Sequence, residues 1–284
     1  MSDLSLDRDL GSLAGRLDAL TALVGRAAAA ILATDPARAA RRQKSDRSFV
    51  TSADEAAQAI ILQGLSELFP GLPAICEEAT GLPRPTILGE CFALVDPLDG
   101  TREFLAGRPE FTVNLAIVRA GAAVLGIIAA PALGQVWRGV VGYGAQRLRW
   151  DPARPSALED VAPIRASPQF FPLVRVMVSR SHLDTETSAL LSRLSALETI
   201  ACGSSLKFCR LAEGDADLYP RLAPTCEWDI AAGDALLAAA GGVVKAPDGA
   251  LLRYGRAADA FRVPAFLAFG DPGAADRIIA GTRR

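Results

Sequence analysis

Asp96-Pro-Leu-Asp-Gly-Thr101 follows directly on the apolar run Cys91-Phe-Ala-Leu-Val95. The run has the length and composition of a buried strand, so two carboxylates meet at a strand end, where they repel one another and lose hydration. That combination keeps one of them protonated unless a cation relieves it. Magnesium takes oxygen ligands, typically a few carboxylates together with water and phosphate oxygens. Pro97 stiffens the turn so that Asp96 and Asp99 can face one ion, Gly100 lets the backbone approach a ligand, and Thr101 offers a hydroxyl. Amides opening the next segment suit a phosphate. The competing reading of the same residues is an Asp-Pro turn whose side chains bond only the local backbone. Other acids weigh in the choice: Glu77-Glu78 at the end of another short strand, and Asp229 at the mouth of a late helix. Taken singly, these read as a solvated strand end and a first-turn acid complementing a helix dipole.

Outward from this stretch, Leu10, Leu13, Leu17, Leu20, Val24, Ala27 and Ile31 recur at helical spacing and predict one long amphipathic helix. Ser52 and Glu55 have capping-box spacing ahead of a second helix that stops at Phe69-Pro70-Gly71, placing Asp54 in its first turn. Short strands are expected at Ala74-Ile75-Cys76, up to Val95, along Phe111-Val113-Leu115-Ile117, and around Val124–Ile128 and Gln135–Val141. The uncharged run from Ala120 to Trp137 is cut by Gly121, Gly126, Pro131 and Gly134 into strand-length pieces, which argues hairpins rather than a membrane helix. The proline-rich stretch Trp150–Pro172 has no clear period and reads as a joint. Beyond it a strand at Leu173–Ser179, a helix near Thr185–Leu197 and a helix from Glu227 to Ala240 are expected. The layout is α+β, with an N-terminal unit over residues 1–155 of mostly antiparallel sheet with helices and a smaller α/β unit over 156–284.

Composition narrows the functions. Half of the 284 residues are apolar and 22% are charged, enough to bury a large core. A formal charge of −2 with scattered Lys and Arg gives no field for a nucleic-acid polymer. Five cysteines with no CxxC pair read as reduced core thiols of a cytoplasmic protein. The opening MSDLSLDRDL carries acids where a secretory signal needs a basic and then an apolar segment. Peripheral attachment to the inner membrane face has no basic amphipathic stripe to support it.

The ordered set Val50-Thr-Ser-Ala-Asp54, Glu77-Glu78, Asp96-Pro-Leu-Asp-Gly-Thr101 and Trp228-Asp-Ile-Ala-Ala232 resembles the magnesium-dependent, lithium-sensitive inositol monophosphatase superfamily. Within it the chain looks most like the bacterial 3'(2'),5'-bisphosphate nucleotidases. Arg102-Glu-Phe104, Pro109-Glu-Phe-Thr-Val-Asn114, Ser179-Arg-Ser-His182, Gly203-Ser-Ser-Leu-Lys-Phe208 and Leu218-Tyr-Pro-Arg221 carry that finer likeness. The resemblance implies a layered α/β/α/β/α fold and two or three magnesium ions held by Glu77, Asp96, Asp99, Asp229 and the main-chain carbonyl of Leu98. It implies that Thr101, oriented by Asp54 and working with Glu77, positions the water that attacks phosphorus, and that lithium inhibits. Substrate contacts would come from Gly100, Thr101, Arg180, Ser181, His182, Ser204, Ser205, Lys207, Arg221 and Asp229. Arg180, Lys207 and Arg221 are candidates for a second phosphate, since cations with several donors suit it. With a single histidine, a phosphohistidine relay has little to work with, and activation falls to metal.

The expected reaction is therefore removal of the 3'-phosphate of 3'-phosphoadenosine 5'-phosphate by a monomer or homodimer acting on a small nucleotide. An inositol-1-phosphate or broad sugar monophosphatase is the alternative. A non-catalytic binding protein is disfavoured because none of the implied ligand carboxylates has become an amide or alanine.

Overall fold

The computed structural model describes residues 10–43, 49–78, 88–168, 174–180, 183–194 and 197–282. In chain order, α1 (Leu10–Gly15) and α2 (Leu17–Leu32) precede a hairpin of β1 (Arg41–Gln43) and β2 (Phe49–Thr51), then α3 (Ser52–Leu68). A seven-stranded sheet follows in sequential order: β3 (Ala74–Cys76), β4 (Cys91–Asp99), β5 (Thr112–Arg119), β6 (Ala122–Ala130), β7 (Gln135–Val140), β8 (Gly144–Arg149) and β9 (Glu159–Ile164). It is antiparallel except for the β3–β4 pair. A short α4 (Thr101–Leu105) leaves the end of β4.

The second sheet has five strands. Its elements enter as β10 (Val174–Ser179), α5 (Thr185–Leu191), β11 (Leu197–Cys202), α6 (Leu206–Glu213) and β12 (Leu218–Arg221). After β13 (Thr225–Cys226) come α7 (Glu227–Ala239), β14 (Val243–Lys245), β15 (Arg262–Val263), β16 (Phe266–Phe269) and α8 (Pro272–Thr282). The strand order is β11-β10-β12-β16-β14.

Three apolar clusters stack these elements into the layered α/β/α/β/α arrangement. Leu20, Val24 and Ile31 of α2 and Ile61 of α3 pack on Ala93, Val95, Val113, Leu115 and Ile117 of the first sheet. Alternate residues of the same strands, Phe92, Leu94, Ala116 and Val118, face α6 and α7 in the middle layer, together with Tyr219, Phe266 and Ala268 of the second sheet. Leu267 and Phe269, on the other face of β16, meet Leu190 of α5 and Ala275 of α8. A sheet buried on both faces needs apolar residues at every position, so period-two alternation disappears from its strands. That is why the Cys91–Val95 run is continuous. A Cβ on Gly126 would lie 2.1 Å from the Ala232 carbonyl oxygen, so glycine lets α7 lie directly on β6.

Several boundaries differ from the sequence reading. The long first helix is two helices broken at Arg16, whose guanidinium lies 4.7 Å from the centre of the Phe69 ring at the end of α3. The capping box of α3 is Thr51 with Asp54, one residue earlier than Ser52 with Glu55. Pairing of Thr51 with Arg41 in β2 fixes its extended backbone, and that settles which of two overlapping boxes is used. The helix at Thr185 ends at Leu191 because Leu197 enters β11 as the parallel partner of β10. Within the stretch Trp150–Pro172, expected as a joint, residues Glu159–Ile164 form β9, which pairs with β8 in the first sheet. Ala120–Trp137 forms strands, and among the described residues no helix is long and apolar enough to cross a membrane. All five cysteines are free thiols, four of them buried.

Candidate active site

β4 brings the two aspartates of the opening stretch to one side by an irregularity. Asp96 pairs with Asn114 and Asp99 with Thr112, three steps on one strand against two on the other. In a regular strand residues three apart point to opposite faces; one extra residue restores a common face. Both aspartates line a single pocket of about 230 Å³, along with Glu77, Leu98, Gly100, Thr101, Ser204, Ser205, Lys207, Arg221 and Asp229. Gly100, at φ +90°, turns the chain from β4 into α4, a left-handed conformation open to glycine at little cost. Glu77 is held beside β4 by its own amide, which donates to the Val95 carbonyl at 3.1 Å.

Two of the acids also cap helices. Asp54 Oδ2 accepts from the Thr51 amide at 2.8 Å and the Thr51 hydroxyl at 2.6 Å, while its Oδ1 accepts from Thr101 Oγ1 at 3.4 Å. Asp229 Oδ2 accepts from the Thr225 hydroxyl and, at 3.0 Å, from the Cys226 amide at the start of α7. The capping reading and the functional reading therefore coexist, because a carboxylate has two oxygens and the cap takes one. Asp99 follows the same rule: Oδ2 accepts from Ser204 Oγ at 2.7 Å and Ser205 Oγ at 2.8 Å. Asp96 Oδ1 accepts from the Leu98 amide at 3.0 Å.

The acids are in electrostatic conflict. Burial pushes the Asp96 carboxyl well above the usual range, and the charges of Glu77, Asp99 and Asp229 push it further. Asp229 is raised to about 6 by burial, then by Asp99 and Glu77. Asp54 is raised to about 6 by burial, against the hydrogen bonds from Thr51. Among the described residues no three His, Cys, Asp or Glu side chains are already gathered into a finished metal cage. The donors nonetheless fit a hard divalent cation in kind: they are all oxygen, they repel one another, and Oδ1 of Asp99 and of Asp229 has no protein donor among the described residues.

The candidate substrate residues divide. Arg221, half-buried, lines the pocket; burial opposes its charge, but Tyr219 and then the charges of Asp229 and Asp99 hold its guanidinium more firmly protonated than usual. Lys207, 3% exposed, reaches the pocket, yet its ammonium donates to the Ser204 carbonyl at 2.6 Å and the Cys202 carbonyl at 3.2 Å. Arg180 does not line the pocket: its guanidinium forms a two-pronged pair with Glu110 at 2.7 Å and donates to the Ala201 carbonyl. Ser181 and His182 lie outside the described residues. Trp228 is a core residue, 4% exposed against Phe261. Sequence reading passed over Thr51, Thr225 and Thr112 as partners of the acids, and gave Asn114 no role although it stands in the quoted Pro109–Asn114 segment. Their only sequence signal is hydroxyl and amide side chains at strand ends and next to the apolar run Leu115-Ala-Ile-Val118.

A sequence model of the Inositol monophosphatase family matches residues 16–280. The chain is 41% identical over 216 residues to the 3'(2'),5'-bisphosphate nucleotidase CysQ of Salmonella typhimurium, covering 75% of this chain and 82% of that one. The corresponding CysQ of Escherichia coli strain K12 is 40% identical over 219 residues, 74% of this chain and 81% of its own. Among solved structures, CysQ from Bacteroides thetaiotaomicron, a bacterial member of the inositol monophosphatase family, superimposes with a TM-score of 0.73 at 31% identity, over 90% of this chain and 97% of that one. An inositol monophosphatase from Anabaena shares the fold at 24% identity, with a TM-score of 0.72 over 95% of this chain and 96% of its own. With the acids in one pocket and these likenesses spanning most of its length, the chain belongs to the inositol monophosphatase family.

Proposed function

We propose that the protein is a magnesium-dependent 3'(2'),5'-bisphosphate nucleotidase that removes the 3'-phosphate of 3'-phosphoadenosine 5'-phosphate, leaving AMP and phosphate. The observation that carries the reading is the pocket itself: Arg221 opens onto the same cavity as Glu77, Asp96, Asp99 and Asp229, so a cationic group for one phosphate lies beside an acidic cluster for another. The relatives that share 40% or more of their aligned residues with the chain bear the name of that activity.

Glu77, Asp96, Asp99, Asp229 and the Leu98 carbonyl would hold the magnesium. When bound, magnesium neutralises phosphoryl oxygens and lowers the pKa of water. The remaining work falls to side chains of the chain. Thr101 has one hydroxyl hydrogen and two acceptors, the Leu98 carbonyl at 3.1 Å and Asp54 Oδ1 at 3.4 Å. A ligand that claims the Leu98 carbonyl hands that hydrogen to Asp54, and the Thr101 oxygen lone pairs are then aimed to accept from an attacking water. Asp54 cannot swing away, because Thr51 holds its other oxygen twice. Arg221 would pair with the 5'-phosphate as a planar multi-donor cation. Lys207 contributes by fixing the Gly203–Ser205 turn and by its positive field rather than by direct contact.

Phosphate release from 3'-phosphoadenosine 5'-phosphate and from inositol 1-phosphate, measured in parallel with magnesium and with chelator, tests the reading. Turnover that needs magnesium and strongly favours the nucleotide is expected. Preference for inositol phosphate overturns the substrate, and turnover that survives chelation overturns the mechanism.

A further inference from the structure

The polar residues behind Asp99 form a closed circuit. Ser204 Oγ and Ser205 Oγ lie 2.7 and 2.8 Å from the same carboxylate oxygen, Asp99 Oδ2. Ser204 Oγ is 2.5 Å from Thr112 Oγ1, which also has Asn114 Oδ1 at 3.0 Å; Thr112 has one hydroxyl hydrogen, and with the Ser204 hydrogen given to Asp99 it goes to Ser204. Asn114 Nδ2 then donates to Ser205 Oγ at 2.8 Å, which returns to Asp99. Ser205 Oγ also approaches the Asp229 carbonyl at 3.0 Å, so the circuit touches the start of α7.

Thr112 and Asn114 are 0% and 1% exposed in a strand that is otherwise apolar from Val113 to Val118 and ends at Arg119. Burying a hydroxyl and an amide is costly unless each is bonded, and here the partners are the two serines. The bulge in β4 sets Asp99 opposite Thr112 and Asp96 opposite Asn114, so these two side chains share the face on which the acids open. Their bonds run to the serines that occupy Asp99 Oδ2, while Asp99 Oδ1 has no protein donor among the described residues.

We infer that Thr112 and Asn114 are positioning residues for the ion site: acting through Ser204 and Ser205, they lock Asp99 by Oδ2 and leave Oδ1 for a divalent cation. The inference rests on the proposed reading of Asp99 as a magnesium ligand. Residues that orient ligands in this way typically govern metal affinity by roughly 10- to 100-fold.

The test is calorimetric titration of magnesium chloride into metal-free wild-type, T112V and T112S protein, with thermal unfolding of each in the presence and absence of magnesium. Valine keeps the shape of threonine and removes the hydroxyl; serine keeps the hydroxyl. T112V is expected to bind magnesium roughly 10- to 100-fold more weakly and to lose most of the magnesium-dependent rise in Tm, and T112S is expected to recover both. S205A opens the same circuit with a smaller change; should T112V not fold, its weakened magnesium binding carries the test. Wild-type affinity in T112V or S205A overturns the inference, as does a T112S protein as weak as T112V. No magnesium uptake by the wild type removes the reading of the acids as an ion site, and the inference falls with it.

Discussion

Thr101 Oγ1 lies 3.4 Å from Asp54 Oδ1, joining the first turn of α4 to the first turn of α3 across 47 positions of sequence. Asp54 belongs to two structures at once, the capping box of α3 and the candidate catalytic pair, whereas Thr101 belongs only to the second. The two residues should therefore separate stability from activity. Thr101→Val is expected to cut kcat by roughly 10²-fold or more with little change in the denaturant midpoint. Asp54→Ala is expected to lose activity and also about 1 kcal/mol of stability with the cap. A T101V enzyme of near-normal kcat would remove Thr101 from the mechanism.

Asp99 is held by two serines, and its charge acts on Asp96 and Asp229. Asp99→Asn keeps the shape and one acceptor oxygen but removes the charge. Loss of one preorganised electrostatic group costs on the order of 10²-fold in turnover or more. Steady-state kinetics at saturating magnesium measure this directly, and near-normal turnover there would sink the assignment of Asp99.

Arg221 and Arg180 should behave differently although the sequence proposes both for a second phosphate. Arg221 opens onto the pocket, so Arg221→Ala is expected to raise KM for the bisphosphate by roughly 10- to 100-fold, the value of a charge-assisted hydrogen bond. A substrate lacking the second phosphate should lose much less. Arg180 is committed to Glu110, and Arg180→Ala should change KM by no more than about threefold, in keeping with the small value of exposed ion pairs. The same KM comparison on both substrates reads out both variants, and equal KM effects of the two substitutions would contradict the placement.

Away from the acidic pocket, Asp234 of α7 accepts a hydrogen bond from the Tyr254 hydroxyl at 2.7 Å, and burial raises its carboxyl to about 7. Burial, and after it the charges of Asp234 and Glu227, push the ionisation of Tyr254 well up in turn. Since the folded state holds the Asp234 proton more tightly than the unfolded chain, this group favours folding fully only below the ordinary aspartate range. Its contribution is lost as pH rises towards 7, at up to about 1.4 kcal/mol per unit. The Asp234→Asn variant should gain stability relative to wild type as pH rises from 4 to 7. Urea midpoints of the two proteins across that window check the sign, and a difference independent of pH would show that folding does not raise the Asp234 pKa.

Much of this was legible in the residues. The continuous apolar run into Asp96-Pro-Leu-Asp-Gly-Thr101 reports a strand covered on both faces, because only such a strand has no side for polar residues. Acids at the starts of helices and ends of strands were visible one by one. Local order could not say which cap is used at Thr51-Ser52-Ala-Asp54, since both overlapping boxes satisfy the same spacing and only the pairing of Thr51 with Arg41 chooses between them. Nor could spacing show that Arg180 turns to Glu110, a residue 70 positions away.

By itself, then, the sequence determined which chemistry was available: oxygen donors concentrated at strand and helix ends, no histidine pair, cysteines without pairing motifs, and apolar periods sufficient for helices and two-faced sheets. The tertiary structure alone decided which of those groups meet. The bulge between Asp96 and Asp99 gives an odd spacing a common face, and β5 sets Thr112 and Asn114 behind them. The turn before α6 supplies Ser204 and Ser205 from more than a hundred residues along the chain. Those meetings depend on strand register and layer packing, which arise from long-range burial and leave no mark in the local spacing of residues.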